Sequence, residues 1–116
     1  MDRIGKMRAL YIIVNDGFTE DVLELARELG ARGATIMNAR GESAQHESFM
    51  GITIDTEKEM ILCIVEREIA KKIIYAVKEK AGVDTPAHAV CFTLPVESTV
   101  GIIKAHGEDE AGKAGE

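Results

Sequence analysis

Apolar positions along the chain alternate between short β-type runs and helical stripes, and the pattern occurs twice. Met7 to Asn15 (MRALYIIVN) is a β-rich apolar run stopped by Asn15-Asp16-Gly17. Thr19 then stands where a helix N-cap would, with Glu20 and Asp21 in the first turn. Val22, Leu23, Leu25, Ala26 and Leu29 follow at helical spacing, and Gly30 and Gly33 are expected to end that helix. Ala34 to Ala39 reads as a second strand. Arg40 to Gly51 is polar and aperiodic, a loop with a hairpin-like return into a short strand at Ile52 to Ile54. Met60 to Val65 (MILCIV) reads as a strand covered on both faces. Arg67 to Lys80 repeats the helical stripe with Ile69, Ala70, Ile73, Ile74 and Val77, and Gly82 stops it. Ala89 to Val96 supplies a further strand, and Ser98 to Lys104 a short apolar terminal element.

The order strand-helix-strand, loop, strand-helix-strand predicts an α+β fold. It is a ferredoxin-like βαββαβ sandwich, one antiparallel sheet with two helices on one face. Residues 1–104 form the single domain and 105–116 a polar tail with nothing to bury, expected to be disordered. Leu10 to Val14 and Ile61 to Val65 are apolar at both alternating positions, whereas a sheet with one wet face should alternate apolar with polar. The face away from the helices therefore needs a cover, and another copy of the chain is the simplest one. A homo-oligomer formed sheet to sheet is expected.

Composition narrows the partners. The chain has 116 residues, one domain's worth, and a net charge of −6 that argues against nucleic acid or an anionic membrane. The first apolar run is only about eight residues, far short of the roughly 20 that a membrane span needs. Cys63 and Cys91 sit inside apolar runs with no ligand spacing, as small buried hydrophobes do in a reduced, cytoplasmic protein. No G-x-S-x-G and no nucleophile beside a base occurs, so a non-enzymatic role is expected over acyl or phosphoryl transfer.

Three stretches carry a resemblance: GARGATIMNARG (Gly30 to Gly41), EKEMILCIV (Glu57 to Val65) and FTLPVESTVGI (Phe92 to Ile102). Together they resemble the PII-type nitrogen regulatory signalling proteins, over roughly Arg8 to Ile103. The resemblance implies a homotrimer of ferredoxin-like subunits. It also implies adenine nucleotides bound in clefts between neighbours, and an exposed loop that docks on transporters, enzymes or transcription regulators.

Carried over residue by residue, the resemblance splits. Gly33 and Thr35 match the family positions that meet adenine and ribose from the adjacent subunit, and Gly41 and Lys58 match the feet of the long loop. The family's Gly-Asp-Gly-Lys phosphate cradle falls on Ala87, His88, Ala89 and Val90, so its lysine is missing. Its Arg-x-Arg pair falls on Gly101 and Ile103, and a base-reading glutamate on Leu62. Without those cations a triphosphate is poorly compensated, and alanine disfavours the left-handed backbone of a Gly-x-Gly turn. Adenine nucleotide or a less charged effector remains the expected ligand class, with ATP held poorly.

The loop from residue 40 to 51 is the expected docking element for a protein partner, with Arg40, His46, Phe49 and Met50 its candidate contacts. No tyrosine occurs between Gly41 and Met60, so the family's tyrosine nucleotidylation is expected to be absent. A second resemblance, to the trimeric copper-tolerance family, draws attention to His46, His88, His106, Cys63 and Cys91. No two of them have metal-ligand spacing, and no metal site is expected.

Overall fold

In the computed structural model, which describes residues 6–41, 47–49, 52–54 and 56–101, β1 (Met7–Asn15) lies second from one edge of a four-stranded sheet. Around it stand β2 (Thr35–Gly41), β5 (Thr56–Glu66) and β6 (Val90–Pro95) in the order β2-β5-β1-β6, every neighbour antiparallel. The helices α1 (Thr19–Glu28) and α2 (Arg67–Ala81) cross over between them, which makes the ferredoxin-like βαββαβ arrangement. Between β2 and β5 a small separate hairpin pairs β3 (Glu47–Phe49) with β4 (Ile52–Ile54), the hairpin-like return that the sequence suggests.

Strand parity decides what is buried. Leu10, Ile12 and Val14 of β1 and Ile61, Cys63 and Val65 of β5 point to the helix side, where they meet Val22 and Ala26 of α1 and Ile73 and Val77 of α2. Each fully buried residue of this size contributes about 1.5–3 kcal/mol relative to exposure. Burial also raises the Cys63 and Cys91 thiols above their ordinary value of 9.0, so both stay protonated near neutrality.

The opposite face is apolar and open. Tyr11 stacks on Phe92 with centroids 5.1 Å apart and planes 10° from parallel. On either side of that pair, Ala9 faces Leu94 and Ile13 faces Val90, while Leu62 and Ile64 extend the surface across β5. Val90, Phe92 and Leu94 keep 43–49% of their surface exposed.

Several boundaries differ from the sequence pattern for local reasons. Thr19 does not cap α1: it is the first helical residue, buried, and its hydroxyl donates to Glu59 Oε1, while Phe18 occupies the cap position without a side-chain bond. Gly30 alone ends the helix. At φ 124° it allows Gly30 N–H to reach Arg27 O at 3.1 Å and Ala31 N–H to reach Ala26 O at 3.0 Å, the paired bonds of a Schellman motif. β5 starts at Thr56 rather than Met60, because polar Glu57, Lys58 and Glu59 are held in register by Arg40, Ala39 and Asn38 of β2. α2 runs on to Ala81. Gly82 stops it at a negative φ, and a Cβ there would come within 2.6 Å of Lys78 O, so close approach rather than left-handed backbone explains the glycine. Ser98 to Gly101 forms neither helix nor strand, and residues 102–104 of that expected element, like the tail 105–116, lie outside the described residues.

Candidate functional site

At the end of the open sheet face, three segments distant in sequence meet at Asn15. Its backbone N–H donates to Ala87 O at 3.0 Å and its Nδ2 to Pro86 O at 2.9 Å, which fastens the 82–89 turn to the end of β1. Its Oδ1 accepts a 2.6 Å bond from Lys58 Nζ on β5. The Lys58 stem passes over Gly41, where an added Cβ would overlap its Cε and Cδ. Gly41 is the last residue of β2, the point from which the 42–55 segment departs. One asparagine side chain thus joins the turn to the half-buried lysine, whose stem lies against the root of the loop.

The turn is internally complete. Gly82 O accepts from Thr85 N–H at 3.0 Å and from Thr85 Oγ1 at 2.9 Å, and Thr85 O accepts from His88 N–H at 3.0 Å. Ala89 N–H closes it on Ala81 O at 2.7 Å. His88 takes φ 47°, the left-handed region that a residue with a Cβ adopts at a cost of roughly 1–2 kcal/mol. The left-handed step expected of a Gly-x-Gly turn is therefore made at the middle position, while Ala87 and Ala89 are buried at negative φ. Neither alanine takes the left-handed backbone that a glycine could adopt at its position. His88 Nδ1–H donates to Val83 O at 3.1 Å, because the carbonyl can only accept, which leaves Nε2 of the exposed ring for an outside partner.

Among the described residues, the cation that the hydrogen bonds bring to this corner is Lys58. Asn15 takes one of its three N–H donors, leaving two for an anionic or carbonyl ligand. The turn carries valine at position 90, and the lysine beside it in space, Lys58, arrives from β5.

The remaining candidates lie elsewhere. Gly33 is exposed with open space around it, and Thr35, also exposed, opens β2 opposite Leu62. Thr35 and Gly41 are the two ends of β2, about 20 Å apart at strand rise. Gly33 and Thr35 therefore do not join Gly41, Lys58, Ala87, His88 and Ala89 within one chain, and a site using both sets has to form across a seam between copies. Leu62 shows its apolar side chain on the open face. Arg40 is exposed on β2 opposite Glu57, and Phe49 ends β3; His46 and Met50, with Ile103, lie outside the described residues. Cys63 and Cys91 face the core on either side of β1, opposite Leu10 and Ile12, away from exposed His88. Among the described residues no three His, Cys, Asp or Glu side chains could hold a metal ion, and no helix is long and apolar enough to cross a membrane.

Asn15 is the residue that sequence reasoning passes over. It reads as a strand breaker before Asp-Gly, and its partners are 43 and 71 positions away.

The chain that builds this corner matches the family model of nitrogen regulatory protein P-II over residues 7–106. A search of curated proteins returns no match. Among solved structures it resembles Bacillus subtilis GlnK in its ATP complex, at 18% identity and TM-score 0.68, covering 92% of this chain and 98% of that one. A PII-like signaling protein of Thermus thermophilus is similar at 20% identity and TM-score 0.60, covering 76% of this chain and 84% of that one.

Proposed function

Because this chain belongs to the nitrogen regulatory protein P-II family, we propose that it is a non-enzymatic signalling protein that reports a small effector to a protein partner. It works as a homotrimer assembled through the open sheet face, with the effector seated at the seams between copies. The observation that carries this reading is the corner at Asn15, where hydrogen bonds of 2.6–3.0 Å link the 82–89 turn and Lys58, and the Lys58 stem lies against Gly41 at the root of the 42–55 segment. A ligand that engages the turn or Lys58 necessarily acts on the place where the loop leaves the sheet. The partner is engaged through residues 40–51, and the protein acts in the cytoplasm.

The effector is an adenine nucleotide or a similar ligand of lower charge, met by Gly33 and Thr35 of one copy and by the Lys58 corner of the next. The ATP complex of B. subtilis GlnK supports the ligand class. With Ala87, His88, Ala89 and Val90 at the turn, Lys58 is the one lysine among the described residues that the corner brings to phosphate, against up to four negative charges on a triphosphate. Isothermal titration with ATP, ADP and AMP tests the reading. ATP is expected to gain less than about tenfold, about 1.4 kcal/mol, over AMP. A much larger gain, with ATP bound in the low-micromolar range, would show that the chain grips phosphates in spite of these substitutions. Loss of the titration heat in Gly33→Trp would support a ligand in the cleft.

A further inference from the structure

On the side of the molecule away from the open sheet face, the two helices carry opposite charge. α1 has Glu20, Asp21, Glu24 and Glu28 against Arg27, a net −3. α2 has Arg67, Lys71, Lys72, Lys78 and Lys80 against Glu68 and Glu79, a net +3. Glu20, Glu24 and Glu28 stand at i, i+4 and i+8, a like-charge ladder that destabilises an isolated helix by about 0.2–0.5 kcal/mol per pair. Among the described residues no ion pair relieves it, and none crosses from α1 to α2; the α2 pairs are the exposed Arg67–Glu68 at 3.6 Å and Lys71–Glu68 at 3.9 Å.

Beside the acidic stripe lies a groove of about 370 Å³ lined by Val22, Leu25 and Ala81 and by three carboxylates, Asp21, Glu24 and Glu28, against one cation, Lys80 on the α2 side. The complement of that groove exists on the same chain. Lys71, Tyr75 and Lys78 fall on one stripe of α2, with Lys72 beside them, and Tyr75 leaves 66% of its surface exposed. A tyrosine flanked by lysines is what a groove with apolar and mainly acidic lining accepts.

We propose that the helix layer is a homotypic docking surface. Two copies meet about a two-fold axis, the Lys71/Tyr75/Lys78 stripe of each seated against the Asp21/Glu24/Glu28 groove of the other. An isologous contact satisfies both stripes at once, because each copy supplies one acidic and one basic member. At 1.5 Å per residue the helices are about 15 and 22 Å long, and two abreast make a patch of roughly 400 Å² per copy. That is about half the roughly 800 Å² per partner of a stable interface, so the contact is transient and electrostatic. The layer sums to zero charge, and the net −6 resides elsewhere on the chain. The contact uses the face opposite the sheet surface and is independent of assembly there.

Sedimentation tests it, with the full-length protein moved from about 1 M to about 0.01 M ionic strength, over which the Debye length grows from about 3 to about 30 Å. The wild-type weight-average mass is expected to rise well above its high-salt value. Glu24→Lys/Glu28→Lys and Lys71→Glu/Lys72→Glu should each remain at the high-salt mass, whereas an equimolar mixture of the two should associate again, since both stripes are then complementary. These positions are exposed, so circular dichroism should match the wild type. A wild-type mass that ignores ionic strength, or variants that associate singly as the wild type does, would overturn the proposal. Loss of the high-salt oligomer would instead count against the sheet-face assembly and leave the salt response readable.

Discussion

Leu94→Asp separates assembly from folding. Leu94 is on β6 opposite Ala9, on the open face, with 48% of its surface exposed in the single chain. Full burial of a leucine contributes about 1.5–3 kcal/mol, so covering the exposed half contributes roughly 1 kcal/mol per copy. Within one chain, aspartate at this position meets water and costs at most about 1 kcal/mol of strand preference. In a sheet-to-sheet trimer it becomes an unpaired buried carboxylate, at about 3–5 kcal/mol per copy. Three copies together lose on the order of 10 kcal/mol, about seven powers of ten in the association constant. Light scattering behind size exclusion should find the wild type near three times the 12.6 kDa chain mass and Leu94→Asp at one chain mass. Circular dichroism and a cooperative melt should show the variant still folded. A wild type that runs as one chain, or a Leu94→Asp protein that keeps the wild-type mass, refutes the sheet-face reasoning.

Other outcomes follow from the same geometry. Asn15→Ala removes two side-chain hydrogen bonds and should cost about 1–3 kcal/mol in urea unfolding, with faster exchange of the backbone amide at position 15, whose N–H holds the turn. Gly41→Ala should leave the melting temperature nearly unchanged, since its Cβ meets only the movable end of Lys58, yet alter the titration heat of any effector that binds. Gly82→Ala should cost about 1–3 kcal/mol, because the clash is with the Lys78 carbonyl and backbone must shift. Both thiols are raised from 9.0 by burial, so the folded state holds their protons more tightly than the unfolded one. Their contribution to stability is complete below that value and is lost as pH rises through the folded pKa, visible as a melting temperature that falls in alkali and falls less in Cys63→Ala. In native protein at pH 8 a thiol reagent should label Cys63 only after denaturant is added.

The sheet and helices are legible in the chain because they rest on local repeats. The stripe from Val22 to Leu29 and the one from Ile69 to Val77 have the helical period, and the two-sided apolarity of β1 and β5 announces both a core face and a second face to be covered. Charge, cysteine placement and the PII-like stretches are equally readable from composition and short motifs. The Asn15 corner is not, because it is made of single residues whose separations in sequence carry no period. Folding brings Pro86 and Lys58 to Asn15 through the pairing of β1 with β5 and the turn that leads into β6. The same holds for the left-handed step at His88, which no local motif marks, and for Thr19, whose hydroxyl finds Glu59 across the layer instead of capping its own helix. What is repeated along the chain can be read from the residues alone. Register and crossover decide which isolated polar groups meet, and the chemistry of the site depends on those meetings.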